Sequence, residues 1–488
     1  MSQTITDTAP PLQSLVHRSG WLPREGELRV LDGAWISGLP EPLWVGLAQA
    51  SGAERRTCFV AVGQRDGGCH DATPWPLYQR HFLQRLARER RVPLAHGALV
   101  FDAQLPLPWA ELELRTADLG ASTNCVSQIL VDGRGAVHKV FRHLGAADHE
   151  LSACRQLQDE AEPSLPRFLG AYHYVDAQGA AHPVGLLNEF FVGRGLHVDL
   201  SLNLRALWQA LDDGAGLSLD THVAALLPEL VQWRHFLDRF HDRLDRAAGL
   251  GVTHAAPAFD CAHHAARVRE RLGRLLPQLH TDPLLGPAAA RRLGDLLATV
   301  GHALFDDVAV QDGSLRAGAC HGDLHLSHLL WRRLPEGAER RLIDLSPPAL
   351  RAGDEAMRCS HRLMDWAALA RALDYFYLDE LTLEMKRRTG ASSATSMQQQ
   401  LMALLEPQGV PALDDPCVQQ AAALGAAWRQ RVEQALCGDA ARSRAWQQFY
   451  FARLLHELDY NYVHRRPHFR CIDFHSLLRT FDPTVTVR

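Results

Sequence analysis

Short apolar runs separated by polar turns fill the first part of the chain. Three of these runs predict strands: Glu27–Leu31, Leu43–Ala48 and Thr57–Val62. Within Tyr78–Arg90 the apolar residues recur at helical spacing, which predicts a helix. The pattern therefore predicts a small mixed unit of strands and helix over residues 25–105.

The pattern changes twice farther along the chain. From about residue 110 to residue 195, predicted strands alternate with a single helix. Cys125–Val131 and Ala136–Phe141 predict a hairpin whose strands are joined by the turn Asp132–Gly135. After about residue 200 the sequence is rich in Ala, Leu and Arg at helical spacing. The pattern therefore predicts strands together with helices in the first part of the chain, and helices alone in the last part.

The length and charge of the chain indicate how many folded units it can form and which partners it does not suit. The chain has 488 residues and 47% hydrophobic content, enough for two or three units with buried cores. Its 51 Lys and Arg against 56 Asp and Glu leave no basic excess for nucleic acid or an anionic membrane. Met1–Pro11 has no basic segment followed by an apolar one, and no apolar run approaches the roughly 18 residues of a membrane span. We expect a cytoplasmic protein.

The cysteines and histidines give no metal or disulfide pattern. The ten cysteines form no Cys-x-x-Cys pair, so we expect most of them to be buried thiols. Cys261-Ala-His263-His264 comes nearest to a metal cluster. Adjacent histidines on a helix point about 100° apart, however, and no third ligand is spaced to meet them. We interpret this segment as a polar helix face.

Two features of the segment from residue 110 to 195 are those expected of a nucleotide-binding site. A turn of small residues ends in Ser122, Thr123 and Asn124, and such a turn offers the N–H groups and hydroxyls that phosphate oxygens require, although an ordinary loop can have the same composition. Lys139 lies in an apolar strand, where it needs a partner or a ligand. Glu150, on the next predicted helix, is placed to pair with it, as in protein kinases.

The most informative stretch begins at residue 321 with His-Gly-Asp. A kinase catalytic loop has an Asp, a metal-binding Asn five residues later, and a second metal-binding Asp after a short hairpin. Here Asp323, His328 and Asp344 occupy those places. A lone His-Gly-Asp is also compatible with a simple turn. Its occurrence after Lys139 and Glu150, in the order that kinases use, favours phosphoryl transfer.

Several motifs resemble those of the aminoglycoside-phosphotransferase-like kinases. They are His321–His325, Leu342–Asp344 and Asp365–Tyr375. The resemblance is closer to the maltokinase branch of that family. This branch also has a phosphate loop like residues 122–124, a strand like Lys139–Arg142, and C-terminal motifs like Glu457–Tyr462 and Arg466–Phe469. The likeness extends from about residue 25 to the C-terminus.

The resemblance implies an α+β, protein-kinase-like bilobal fold. It places a cap subdomain at residues 1–105, a kinase N-lobe and hinge at 106–195, and a large helical C-lobe with the catalytic loop at 196–488. Leu186–Phe191 fits the hinge, whose backbone would bind adenine. The implied contacts there are Asn188, Glu189 and Phe191.

The resemblance also implies a role for each site residue, with ATP and Mg²⁺ as cofactors and a small sugar as substrate. Lys139 would contact the nucleotide phosphates, with Glu150 holding it. Asp323 would orient the acceptor hydroxyl, and Asp344 would bind the metal with His328. The implied structural residues are His321 and Asp365, the latter anchoring the catalytic loop. The implied acceptor contacts are His325, Glu457, Asp459, Tyr460 and Arg466.

Two departures from the family pattern affect these expectations. The family usually has Gln or Asn where this chain has His328, and magnesium prefers oxygen to imidazole nitrogen, so Mn²⁺ is a second candidate metal. Maltokinases typically continue after the metal-binding Asp with an acidic, Gly-containing stretch. This chain instead has Leu345–Ala349 next to the acceptor pocket, so its substrate need not be maltose.

Three functions remain open at this point. Conversion of maltose to maltose 1-phosphate is the first. The second is phosphorylation of glucosamine or another amino sugar or aminoglycoside, for which the carboxylates of Glu457 and Asp459 in the final predicted helix would hold the amine. The third is a pseudokinase that binds nucleotide or sugar as a regulatory module. Tyr460, Tyr462 and Trp446 would either stack on a sugar or belong to the core.

Overall fold

The structure is a computed structural model of the whole chain. It describes residues 9–13, 15, 27–51, 56–104, 112–120, 124–131, 134–144, 148–158, 163–214, 218–248, 258–306, 315–345, 360–405, 415–438 and 443–483. They fall into two compact units. The first comprises Met1–Val192 and Arg341–Ala352, and the second comprises Gly193–Arg340 and Gly353–Arg488. The predicted domain bounds at residues 105 and 195 stay predictions.

The first unit begins with a four-stranded antiparallel sheet. Its strands, in spatial order, are β1 (Leu28–Ile36), β2 (Leu43–Ala50), β3 (Arg56–Arg65) and β4 (Gly68–Asp71). The three strands predicted in this region are therefore present. The predicted helix starts as a π-helix, Leu77–Phe82, and continues as α1, Leu83–Glu89. Arg90 ends it in the left-handed conformation, with φ 63°.

A seven-stranded antiparallel sheet completes the first unit. Its strands are β5 (Arg91–Pro93), β6 (Ala98–Ala103), β7 (Leu112–Gly120), β8 (Asn124–Val131), β9 (Arg134–Phe141), β10 (Phe168–Val175) and β11 (Ala181–Glu189). Their spatial order is β5-β6-β10-β11-β9-β8-β7, and helix α2 (Asp148–Gln156) follows β9 in the chain. Buried residues of both sheets belong to one hydrophobic cluster. The predicted strands at β8 and β9 are confirmed.

The second unit is mainly helical, as its sequence predicts. Strands β12 (Arg194–Gly195), β13 (Leu329–Leu334) and β14 (Gly337–Leu342) form its small sheet. Its helices are α3 (Leu196–Asp212), α4 (Leu219–Val223), α5 (Leu227–Ala247), α6 (Cys261–His280), α7 (Pro287–Phe305), α8 (Arg362–Thr389), α9 (Ser393–Leu405), α10 (Pro416–Cys437), α11 (Arg444–Val463) and α12 (Pro467–Phe481). None of the described helices is long and apolar enough to cross a membrane.

The end of the chain corrects one prediction. Glu457 and Asp459 lie in α11, which is not the final helix, because α12 follows it. Arg466 is the residue before α12, and Pro467 opens that helix, where its missing N–H and fixed φ are tolerated. The Arg-Pro motif therefore lies at the start of α12.

Most of the cysteines lie in the interior, as expected. The buried free thiols are Cys58, Cys69, Cys125, Cys154, Cys320, Cys437 and Cys471. Cys261 is half-buried, whereas Cys417 is exposed. Several predicted features lie outside the described residues: Ser122, Thr123, the Asp-Gly pair at 132–133, Cys359, and residues 346–349.

Candidate active site

Lys139 is the centre of a buried ion cluster in the first unit. It lies on β9, only 6% exposed, and its Nζ is 2.7 Å from Oε2 of Glu150, which is 4% exposed on α2. The same ammonium group also donates to Oδ1 of Asp344. The predicted lysine–glutamate pair is thus present, and the second predicted metal ligand joins it.

The charges of this cluster stabilise one another. Burial by itself would lower the pKa of Lys139, but the carboxylates of Glu150 and Asp344 outweigh burial and raise it. Burial raises the pKa of Glu150, and the ammonium of Lys139 offsets only part of that effect. Lys139 therefore stays charged at neutral pH, which is the state that a nucleotide phosphate requires.

Asp344 has the backbone strain that is common at functional sites. Its φ is 61°, in the left-handed region that costs a non-glycine residue about 1 kcal/mol or more. Its side chain is 47% exposed, in contrast to the buried Lys139 and Glu150. An accessible carboxylate with hard oxygen donors fits Mg²⁺, which typically takes one or two carboxylates and completes its shell with water and phosphate.

Two of the predicted hinge residues, Asn188 and Glu189, lie at the end of the interior strand β11 of the same sheet. In the β9–β11 register Leu186 pairs with Lys139 and Asn188 pairs with Val137, so Lys139 and Asn188 lie on one face of the sheet. That face packs on α2, where the Asn188 amide nitrogen is 3.8 Å from the sulfur of Cys154. The amide oxygen of Asn188 is buried without a hydrogen-bond partner among the described residues.

The two other hinge residues have different surroundings. The backbone N–H of Glu189 donates to the carbonyl of Arg167 at 2.8 Å, and its side chain is exposed. Phe191 is 8% exposed, with the guanidinium of Arg341 5.4 Å from its ring centre. Asn124, the described residue of the predicted phosphate loop, begins β8 and is half-buried.

In the second unit, Asp365 fixes the backbone of the loop that begins at His321. It is completely buried in the first turn of α8 and accepts the backbone N–H groups of His321 at 2.6 Å and Gly322 at 2.9 Å. His241 of α5 donates to the same carboxylate at 2.8 Å. Burial would raise the pKa of Asp365, but the contacts with His241 and His321 lower it. Gly322 has φ 89°, a conformation that glycine adopts without strain.

Asp323 carries the acidic side chain of this loop. Its Oδ1 is 2.8 Å from Nη2 of Arg453 on α11. Burial would raise the pKa of the Asp323 carboxyl group, but the guanidinium outweighs it and lowers that pKa well below its usual range. Asp323 is therefore ionised and can accept a hydrogen bond, but it is a weak proton acceptor.

His328 is oriented by the loop itself. Its Nδ1 is 2.9 Å from the carbonyl oxygen of Asp323, and since a carbonyl only accepts, Nδ1 carries the proton. The lone pair of the neutral ring is then on Nε2, the form that binds a metal. The His325 ring lies against that of His328 at an angle of 37°, with ring centres 3.4 Å apart, and its Nδ1 is 2.8 Å from Oγ of Ser327. A nitrogen ligand suits Mn²⁺ better than Mg²⁺.

The described residues contain no complete metal cage of acidic, His and Cys side chains. In the part of the chain that the structure describes, no group of three or more His, Cys, Asp and Glu side chains could hold a metal ion by itself. A divalent ion that binds a nucleotide takes the rest of its ligands from phosphate and water. Asp344 in the first unit and His328 in the second are each predicted from the sequence to bind such an ion.

The residues predicted to contact the acceptor are placed differently from one another. Glu457 accepts from Arg371 at 2.9 Å and from Arg453 at 2.7 Å. Asp459 pairs with Arg274 of α6 at 3.0 Å. Both carboxylates therefore already have arginine partners.

The aromatic residues of α11 also differ. Tyr460 is 39% exposed, and the guanidinium of Arg466 lies 5.0 Å from its ring centre. Tyr462 instead donates its hydroxyl to Asp282 at 2.7 Å. Trp446 is 4% exposed and belongs to the core. Of these three aromatic side chains, Tyr460 is thus the most exposed.

Sequence reasoning missed the arginines that organise the catalytic loop. Arg371 is fully buried on α8, and Arg453 links Asp323 to Glu457. The spacing of four residues between Arg453 and Glu457 was the available signal, because side chains four apart on a helix are neighbours. The pairing of Arg453 with Asp323 has no such local signal.

A cavity of about 560 Å³ lies elsewhere in the second unit. Phe376 and Asp379 of α8 and His468 of α12 are among its lining residues. Nε2 of His468 is 2.6 Å from Oδ1 of Asp379. None of the residues predicted for the active site lines this cavity.

Comparison with known proteins identifies the fold. No family model and no curated protein sequence matches the chain. Among solved structures, glucosamine kinase in two crystal forms gives TM-scores of 0.56 and 0.53 at 18% and 17% identity, covering 97% and 99% of this chain and 97% and 100% of the other. Glucosamine kinase in complex with glucosamine, ADP and inorganic phosphate gives 0.51 at 18% identity, covering 97% of each chain. The predicted kinase-like α+β fold class is thereby confirmed.

Proposed function

We propose that this protein transfers the γ-phosphoryl group of ATP to a hydroxyl group of a small sugar. The observation that carries the proposal is the contact of buried Lys139 with buried Glu150 and with the accessible carboxylate of Asp344, a charge arrangement that kinases use to hold nucleotide phosphates. The Asp365-anchored loop that presents Asp323 supplies the second part of the machinery. The fold shared with glucosamine kinase is consistent with this assignment.

The first unit would bind the nucleotide. Lys139 would donate to phosphate oxygens while Glu150 keeps its ammonium in place. The backbone after β11 and the Asn188 side chain would meet the base. When bound, a divalent metal at Asp344 would neutralise phosphate charge.

Asp323 would orient the acceptor hydroxyl. Phosphoryl transfer passes through a loose transition state in which positioning matters more than proton abstraction. A carboxylate with a lowered pKa suits that role because it stays ionised and accepts the hydroxyl proton as a hydrogen bond. Its weak basicity is therefore no obstacle.

The acceptor that we propose first is maltose, converted to maltose 1-phosphate, as the resemblance to maltokinases implies. The pairing of Glu457 and Asp459 with arginines supports a neutral acceptor, because neither carboxylate is left to balance an amine. Glucosamine is the second candidate, and the observation that favours it is the fold shared with glucosamine kinase. Glucosamine would require an unpaired carboxylate at Glu457 or Asp459 to balance its amine, whereas maltose would not.

An acceptor panel tests the proposal. ADP release would be measured with maltose, glucosamine and an aminoglycoside, each with Mg²⁺ and with Mn²⁺, and the phosphorylated product identified by mass spectrometry. We expect maltose-dependent ADP release. Dependence on glucosamine alone would select the amino-sugar activity. Nucleotide binding by calorimetry with no product from any acceptor would contradict the enzyme and favour a regulatory binding module.

A further inference from the structure

A chain of alternating charges begins at Asp323 and ends deep in the second unit. Arg453 joins Asp323 to Glu457, with contacts of 2.8 and 2.7 Å. The other oxygen of Glu457 is 2.9 Å from Nε of Arg371. Nη2 of Arg371 is in turn 2.7 Å from Oδ1 of Asp473. Five acidic and basic side chains from three helices and the loop at Asp323 are thereby connected in one line.

The inner end of this chain is fixed. Arg371 and Asp473 are both 0% exposed, and a buried charge without partners would be costly. Asp473 also accepts the hydroxyl of Tyr375 at 2.6 Å and the amide of Asn461 at 2.9 Å. Because every group at this end has a close partner, the position of Glu457 is determined by the interior of the unit.

The outer end leaves part of Asp323 accessible. Its side chain is 39% exposed, whereas that of Arg453 is 19% exposed. Arg453 contacts Oδ1, and in the described part of the chain no other side chain hydrogen bonds to the Asp323 carboxylate. Its Nε donates to Glu457 at 2.7 Å at the same time, and this second contact restrains the direction of the one with Asp323. The second oxygen, Oδ2, can then face a hydroxyl group in one orientation.

We propose that Arg453 is a positioning residue for phosphoryl transfer, which holds Asp323 in the orientation that accepts the acceptor hydroxyl. This inference rests on the proposed function. Glu457 then acts through Arg453, as the group that aims the guanidinium, and does not itself contact the sugar. In this arrangement Asp473 fixes Arg371, Arg371 fixes Glu457, and Glu457 fixes Arg453 against the loop at Asp323.

Steady-state kinetics of Arg453→Met and Arg453→Lys test the proposal. We expect Arg453→Met to lower kcat at least tenfold while the KM for ATP stays within twofold, and Arg453→Lys to restore part of the loss. Arg274→Met is the matched control, since it removes an arginine that binds an α11 carboxylate, Asp459, and leaves Asp323 untouched. It is expected to keep the wild-type kcat. A kcat within twofold of wild type in Arg453→Met would overturn the proposal.

A double variant separates positioning from general stability. In an Asp323→Asn background, single-turnover rates with excess enzyme should show little further loss from Arg453→Met, because the group to be positioned is altered. An equal fold-loss in both backgrounds would mean a merely structural role and would overturn the proposal.

Crystal structures keep this test independent of the proposed function. If the wild-type protein phosphorylates no sugar, the proposed function fails. The orientation of the Asp323 carboxylate in wild type and Arg453→Met then decides the inference by itself. A rotated carboxylate in the variant supports positioning, and an unchanged one contradicts it.

Discussion

The ammonium group of Lys139 lies 2.7 Å from the carboxylate of Glu150, and both side chains are buried. Eleven residues separate them in the sequence, one on a strand and the other on the next helix. Asp344 adds a second, half-exposed carboxylate. The pair thus has a structural role between its own members, and the role toward phosphate that we propose for it can be tested separately.

Substitution of the pair should separate stability from nucleotide use. Lys139→Met leaves Glu150 buried without its partner and should lower the free energy of unfolding by about 3 kcal/mol, measured by urea denaturation. The double variant Lys139→Met, Glu150→Gln should recover most of that stability because no buried charge is left alone. Both variants should use ATP at least tenfold less efficiently. Wild-type kcat/KM for ATP in either one would place Lys139 outside the nucleotide site.

His328 should determine metal preference. Its Nε2 has the lone pair, so His328→Gln or His328→Asn exchanges a nitrogen ligand for an amide oxygen and should keep turnover while shifting preference from Mn²⁺ toward Mg²⁺. His328→Ala should reduce turnover tenfold or more, about 1.4 kcal/mol. Rates would be compared at matched concentrations of the two metals. Full activity of His328→Ala with the same metal preference would contradict a ligand role.

His138 should make the protein sensitive to mild acid. It is fully buried, donates through Nδ1 to Gln79 and accepts through Nε2 from Tyr172 at 3.0 Å. Burial lowers its pKa to about 3, below the 6.5 of an unfolded chain. The stability that the neutral ring supports is fully present above pH 6.5 and is lost as pH falls toward 3, at about 1.4 kcal/mol per pH unit.

Urea denaturation between pH 7 and pH 5 checks this prediction. His138→Gln is expected to be less stable at pH 7. Its free energy of unfolding should fall less steeply as the pH is lowered, by up to about 1.4 kcal/mol per pH unit, which corresponds to one proton fewer taken up on unfolding. His182→Gln, which removes a histidine from the surface, is the control for loss of any imidazole. Parallel slopes for wild type and His138→Gln would contradict the assignment.

Asp374 should matter far more to stability than Asp459. Asp374 is 1% exposed and binds Arg429 at 2.6 Å, as well as Arg371, Arg479 and Tyr450. Asp374→Asn leaves a buried cluster of guanidinium groups short of a counter-charge and should cost about 3–5 kcal/mol.

The matched variant is Asp459→Asn. Its partner Arg274 has a side chain that is 46% exposed, so the change should cost no more than about 1 kcal/mol. The free energy of unfolding of both variants would be measured by urea denaturation. Equal losses for Asp374→Asn and Asp459→Asn would contradict the prediction that the more deeply buried carboxylate contributes more to stability.

Local patterns made much of the fold and part of the site predictable. The strands at β2 and β3 follow from their apolar runs, and the pairing of Lys139 with Glu150 follows from a charged residue inside an apolar strand beside an amphipathic helix. The loop at Asp323 was predictable because its motif, from His321 to His328, lies within one short continuous segment of the chain. In each case the signal and the structure are close together in sequence.

The features that sequence reasoning missed depend on distant partners. Arg453 lies 130 residues from Asp323, and Arg371 lies 102 residues from Asp473. Nothing local distinguishes these arginines from the many others on helices of the second unit. The same limit explains why Glu457 and Asp459 looked available to an amine, although folding gives each an arginine partner.

Phosphorus NMR of the complete reaction, with wild type and Asp323→Asn compared, tests the central claim most directly. With ATP, a divalent metal and maltose, the wild-type protein should produce a sugar phosphomonoester signal in step with ADP. Asp323→Asn should form it at least a hundredfold more slowly, because the acceptor hydroxyl is no longer oriented by a carboxylate. Equal rates for the two proteins, or ATP bound with no new phosphomonoester from maltose or any amino sugar, would contradict the claim that this chain is a sugar kinase acting through Asp323.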